Sequence, residues 1–102
     1  MSDILPSAAS FFRQSFDGVI RIEIEGGGAI WIDGRQEPPA VTEQAPSNVD
    51  SSFCLWRTSM ETLKRILSPG ARQVEAAYVA GRLLISGDMS VMTRLETGKP
   101  QT

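Results

Sequence analysis

The single cysteine, Cys54, is the one soft nucleophile in this 102-residue sequence, and it stands in a chain without histidine. A thiolate needs a neighbouring base or a helix N-terminus to lower its pKa, and no imidazole exists to serve. His-based triads, Cys-His dyads, most catalytic zinc sites and the usual general base near neutral pH are therefore set aside. One cysteine forms neither an intrachain disulfide nor a thiolate cluster, so Cys54 reads as a small buried hydrophobe. Glu23 and Glu25 share a strand face and would stand roughly 7 Å apart on the pleat; with Arg21 beside them a solvated face is the simpler reading. The glycines at 26, 27 and 28 would cradle a phosphate only if they opened a helix, and here they lead into a strand, as a hairpin turn does. Asp17, Asp33, Asp50 and Asp88 all adjoin turns or helix starts, where carboxylates satisfy backbone donors. Nothing in this set calls for a metal or a cofactor, and an enzyme is the least favoured class.

The elements that must position these residues follow from periodicity. Residues 3–16 read as a short helix, with Asp3 as cap and Ile4, Ala8, Phe11, Phe12 and Phe16 as a ragged apolar face. Ile20, Ile22 and Ile24 then alternate with Arg21, Glu23 and Glu25, the mark of a strand buried on one side. Residues 29–33 make a second, antiparallel strand, and the polar, proline-bearing stretch 35–48 leaves at most an edge strand around 41–45. Residues 52–57 are apolar on both faces and read as a central strand. Thr58 begins a capping-box pattern for a helix to about Leu67, in which Glu61 precedes Arg65 by four positions. A second helix spans about 71–80, with Val74, Ala77 and Tyr78 inward and Gly81 as its left-handed terminator. A strand over 82–86 and a last helix over 88–95 complete the chain, with Met89 and Met92 facing inward and Arg94 outward. One α+β layer sandwich results, a single mixed or antiparallel five-stranded sheet covered by helices.

Composition bounds the function. Hydrophobic residues at 41 % and charged residues at 22 % are ordinary globular usage, and a net charge of -2 offers no basic field for nucleic acid. No apolar run approaches the roughly 20 residues of a membrane span. The lone thiol and the lack of a targeting pattern fit the cytoplasm.

The segment Ala77-Tyr78-Val79-Ala80-Gly81-Arg82-Leu83-Leu84-Ile85-Ser86-Gly87-Asp88-Met89-Ser90-Val91-Met92-Thr93-Arg94-Leu95 resembles the end of the sterol carrier protein 2 domain family, of the small stand-alone bacterial type. There an aromatic-bearing helix runs into a glycine and a basic residue, then an apolar strand, then glycine with Asp or Asn and a final apolar helix. The upstream order of hairpin, weak strand, apolar strand and helix agrees, so the likeness covers about 18–96. The N-terminal helical region is shorter than the family's, and 35–48 is more polar than its third strand.

The resemblance implies an apolar tunnel between sheet and helices that holds fatty-acyl chains, sterols or isoprenoids, without catalysis. The organisation expected is a short helical segment at 1–17, a lipid-binding domain at 18–96 and a loose tail at 97–102. The ligand-facing residues expected are Ile22, Phe53, Leu55, Leu63, Leu67, Tyr78, Leu83, Ile85, Met89 and Met92. The competing reading is a protein-interaction or dimerisation module of the same fold with a filled core, accessory to a lipid-related enzyme. The partners expected are thus an apolar lipid, with a homodimer or a lipid-metabolising enzyme as the protein partner.

Overall fold

The computed structural model describes residues 4–49, 53–68 and 74–97. Its five strands are β1 (Val19–Ile24), β2 (Ala29–Asp33), β3 (Ala40–Thr42), β4 (Cys54–Thr58) and β5 (Leu83–Gly87), in the order β3-β2-β1-β4-β5. The helices are α1 (Ile4–Phe11), α2 (Met60–Ile66), α3 (Val74–Val79) and α4 (Ser90–Thr97). Only β1 and β4 pair in parallel; the other neighbours are antiparallel, so the sheet is mixed. This is the α+β class expected from the residues.

The isoleucine alternation decides which side of the sheet is the core. Ile22 lies opposite Ile30 on one side and Trp56 on the other, and Ile20 lies opposite Ile32 and Cys54. Because strand side chains alternate, all of these share one face, and all are fully buried under the helices. α1 adds Ile4 and Ala8 to the same core, and Phe12, just past its end, continues the four-residue spacing. The other face carries Arg21, Glu23, Trp31, Leu55, Arg57 and Leu84, and Glu23 bridges to both Arg21 and Arg57 at 3.3 Å.

Several boundaries move, each for a non-local reason. The first helix stops at Phe11 rather than reaching 16, because the chain turns to pair with the bend after β2. Ser15 N–H donates to Glu37 Oε1, Ser15 Oγ donates to the Gly34 carbonyl, and the Phe16 and Asp17 N–H groups donate to the same carbonyl. Phe16 thereby reaches the core, against Gly34 at a point where any Cβ would collide with its ring. β3 is shorter than the 41–45 expectation, since Thr42 Oγ1 donates to the Gln44 carbonyl and bends the chain away from the sheet edge.

Thr58 is not a cap. It ends β4 with its hydroxyl donating to the Arg82 carbonyl at 2.9 Å, and Ser59 caps α2 by accepting the Thr62 N–H at 3.1 Å. Glu61 is correspondingly free to meet Arg65 at 3.7 Å, as its spacing predicts. Gly81, at φ 78°, closes α3 in a Schellman arrangement: the Arg82 N–H returns to the Ala77 carbonyl and the Gly81 N–H to that of Tyr78. The residues 71–73 expected in this helix, Asp3 and Ser52 lie outside the described residues. The last helix starts at Ser90, after Asp88, whose carboxylate accepts the Ser90 N–H and hydroxyl and is held below the usual carboxylate range mainly by that hydroxyl.

Candidate functional site

The layer between sheet and helices is built from sequence-distant apolar side chains. Its floor is Ile22, Trp56 and Leu83, each without exposure, flanked by half-buried Ile85; α2 contributes Leu63 and Ile66 and its C-cap Leu67, α3 contributes Ala77, and α4 contributes Val91. Met60, Val74 and Met92 pack against this cluster from its margins. The polar atoms within it are few. Thr58 hydroxyl is committed to a backbone carbonyl, Cys54 thiol is fully buried, and the Trp56 indole Nε1 donates to Met92 Sδ at 3.3 Å.

Six of the ten expected ligand-facing residues come together here: Ile22, Leu63, Leu67 and Leu83 inside the cluster, Ile85 and Met92 at its edge. Phe53 and Leu55 do not. The register that sets Ile20 beside Cys54 and Ile22 beside Trp56 puts the core parity of β4 on Cys54 and Trp56, so Leu55 faces away, and Phe53 packs its ring on Trp31 with centroids 5.2 Å apart. Tyr78 and Met89 stand outside the buried cluster, at 49 % and 45 % exposure. On α3 the inward position is Ala77, and Tyr78 lies one residue, about 100° of helix, further round; Met89 precedes the helix rather than lying on it.

Arg94, expected outward, instead donates from Nε to the Phe16 carbonyl and from Nη1 to Ser90 Oγ, each at 3.2 Å, tying α4 to the chain entering β1. The residues that sequence reasoning omitted from the layer are Trp56, Ile66 and Val91. The inward parity of β4 was the missing signal for Trp56, while Ile66 and Val91 lie one step from residues already placed inward.

Burial pushes the Cys54 thiol up from 9.0 to about 11, and its contact with the Trp56 indole pulls weakly the other way. The thiol is thus protonated throughout the physiological range and inert as a nucleophile. A disulfide-exchange reagent should label Cys54 slowly in the native protein and at once after denaturation, and Cys54→Ala should keep the fold; rapid native labelling would contradict this placement. Because the folded value is the higher one, the stability this thiol contributes is present below about pH 9 and is lost as pH rises toward 11.

Away from this layer, a groove of about 690 Å³ lined by residues including Asp33, Arg35, Thr42, Gln44 and Asn48 is polar. Asp33, only 4 % exposed, accepts from the Arg35 backbone N–H, from Arg35 Nε at 2.8 Å and Nη2 at 3.0 Å, and from Gln36 Nε2. Arg35 also donates to the Ser47 and Asn48 carbonyls, so the groove's cation is used to hold its own loop. Hydrogen bonding from Arg35 keeps the Asp33 carboxyl below its ordinary value. That stability is present above the unfolded pKa near 3.8 and disappears as pH falls through the lower folded value. Asp33→Asn should therefore cost on the order of 1–2 kcal/mol at pH 7, with the gap to wild type closing below about pH 3.8 in thermal melts; a gap independent of pH would refute the ion-pair account.

The family model described as the SCP-2 sterol transfer family matches residues 7–97. The chain belongs to that family. The SCP-2 match runs from within α1 to the last residue of α4, so it takes in the whole sheet, α2, α3 and α4. No curated protein matches the sequence.

Among solved structures, the sterol carrier protein domain 2 of Helicoverpa armigera is similar at 18 % identity, with a TM-score of 0.61 over 98 % of this chain and 87 % of its own. A UbiJ-SCP2 ubiquinone synthesis protein is similar at 16 % identity, TM-score 0.58, over 96 % of this chain and 94 % of its own. The apo sterol carrier protein 2 of Yarrowia lipolytica is similar at 11 % identity, TM-score 0.58, over 90 % and 79 %. At these identities the likeness shows the SCP-2 fold. Among the described residues no group of three or more His, Cys, Asp or Glu side chains is placed to hold a metal ion, and no helix is long and apolar enough to cross a membrane.

Proposed function

We propose that this SCP-2 chain is a non-catalytic lipid carrier of the cytoplasm that holds a fatty-acyl, sterol-like or isoprenoid ligand between the sheet and the helices. The observation that carries the reading is the apolar layer itself: the buried polar or charged side chains among the described residues are Asp33 and Thr58, and Asp33 has the opposite strand parity to the core isoleucines. Burial of an apolar chain there is worth roughly 25 cal/mol per Å² before the entropy of binding is subtracted. Ile22, Leu63, Leu67, Leu83, Ile85 and Met92 are the contacts, and the half-exposed Tyr78 and Met89 are proposed to touch the ligand as it passes. Entry requires side chains to give way, which suits methionine, whose unbranched chain adapts to irregular surfaces. The structural likeness to a ubiquinone synthesis protein supports an isoprenoid ligand and a lipid-metabolising enzyme as partner.

Binding of an environment-sensitive fluorescent fatty acid should saturate in the micromolar range and be reversed by unlabelled long-chain lipid. A folded protein giving no saturable signal would overturn the carrier reading. A second reading rests on the other sheet face, where Trp31, Phe53 and Leu55 are half-buried and Leu84 is 57 % exposed: a protein-interaction or dimerisation surface over a filled core. Native mass spectrometry of gently purified protein separates the two, lipid adducts supporting the carrier and a bare homodimer the interaction module.

A further inference from the structure

We propose that the Trp56 indole N–H is the recognition contact for a lipid whose head carries a hydrogen-bond-accepting oxygen, with Met92 as its placeholder until such a ligand enters. The inference rests on the carrier reading and adds the chemical class of ligand. Trp56 lies on the core face of β4 between Ile22 of β1 and Ile85 of β5, without solvent exposure. A buried indole N–H needs an acceptor. The one it has is Met92 Sδ at 3.3 Å, with the Cys54 thiol also in contact, and thioether and thiol sulfurs are weak acceptors.

The other strong side-chain donor facing this layer, the Thr58 hydroxyl, is already committed to the Arg82 carbonyl. Trp56 Nε1 is therefore the strongest donor in the apolar layer whose present partner an incoming oxygen would outcompete. Met92 is suited to leave. It is half-buried, lies on an eight-residue helix at the end of the described chain, and has three rotatable side-chain bonds. A ketone, ester or carboxyl oxygen arriving between β4 and α4 takes the indole N–H, and the methionine sulfur, an apolar filler with no strong donor of its own to satisfy, moves aside.

The test uses displacement of diphenylhexatriene, a hydrocarbon dye, by dodecane and by 2-dodecanone, which presents one carbonyl oxygen near the end of a chain of equal length. Three proteins are compared: wild type, Met92→Leu and Trp56→Phe. The ketone-to-alkane affinity ratio should fall about three- to tenfold in Trp56→Phe, the worth of one hydrogen bond. In Met92→Leu the ketone-to-alkane affinity ratio should rise several-fold, because no sulfur contact must be broken. The Trp56 indole N–H resonance should shift on saturation with ketone and stay in place with alkane.

An equal ratio in all three proteins, or an indole resonance unmoved by saturating ketone, overturns the proposal while leaving the carrier reading intact. Failure of both ligands to displace dye, or of the dye to bind, removes both. Should Trp56→Phe not fold, Met92→Leu and the resonance decide the matter.

Discussion

Trp56→Ala is expected to cost about 3–5 kcal/mol of folding stability, the range for deleting a large buried aromatic. The indole is fully buried, packs its ring 5.9 Å from that of Phe12, and is flanked by Ile22 and Ile85 from both neighbouring strands. Truncation leaves a void bounded by two strands held in register by hydrogen bonds, so the walls cannot collapse to fill it. It also breaks the link to Met92 on α4, and with it one of the contacts by which the last helix is seated. Total stability for a domain of this size is about 5–15 kcal/mol, so the melting temperature should fall on the order of 20 °C. A loss under 1 kcal/mol in denaturant titrations would show that the indole is not the keystone of the layer.

Val91→Asp should be nearly as damaging and should reveal itself by its pH dependence. Val91 is 1 % exposed and belongs to the apolar cluster, and it packs so closely on Gly18 that a Cβ there would approach its Cγ2 to 2.9 Å. An ionised carboxylate in that position is desolvated among apolar neighbours, the nearby Arg94 guanidinium being already engaged with the Phe16 carbonyl and Ser90, and it costs several kcal/mol unless it takes up a proton or the helix lifts away. The folded-state pKa of the new aspartate is therefore raised above its unfolded value near 3.9. The penalty is then greatest above the raised value and shrinks as pH falls toward 3.9, so the variant gains on wild type in acid even as both lose the Asp33 pair. Amide exchange of α4 at neutral pH should accelerate by orders of magnitude relative to β1, and lipid uptake should be lost. Equal protection of α4 in the two proteins would mean that Val91 does not anchor the helix.

How far the sequence reached depended on whether the deciding contact was local. The alternation of Ile20, Ile22 and Ile24, the glycine turn and the strand 29–33 were readable because period-2 patterning and turn chemistry act within a few residues, and β2 matches its expected bounds. The Gly81 terminator was readable for the same reason. Thr58 and Ser59 are adjacent hydroxyls, either of which can cap; a carbonyl more than twenty positions away, at Arg82, and the strand pairing selected Ser59. Phe12 to Phe16 carry a helical pattern locally, yet Gly34 and Glu37 capture that backbone.

The site was readable as a class of side chain but not as a set. Phe53 and Leu55 are as apolar as Cys54 and Trp56, and only the register between β1 and a distant parallel strand says which pair faces the helices. The same holds for Tyr78, whose place at the edge of an apolar arc depends on how α3 is rolled against β5.

That one parallel pairing also sets the order in which the protein becomes safe during synthesis. β1 is the middle of the sheet, yet of its two neighbours β2 follows at once while β4 is made only after the whole 40–53 stretch has emerged. A nascent chain ending before Cys54 therefore presents Ile20, Ile22 and Ile24 along an open strand edge, with α2, α3 and α4 still unmade. Such an edge is a template for another copy, and non-local parallel pairing closes slowly. Pausing or cleavage within residues 34–53 should leave fragments that aggregate or need a chaperone to hold them.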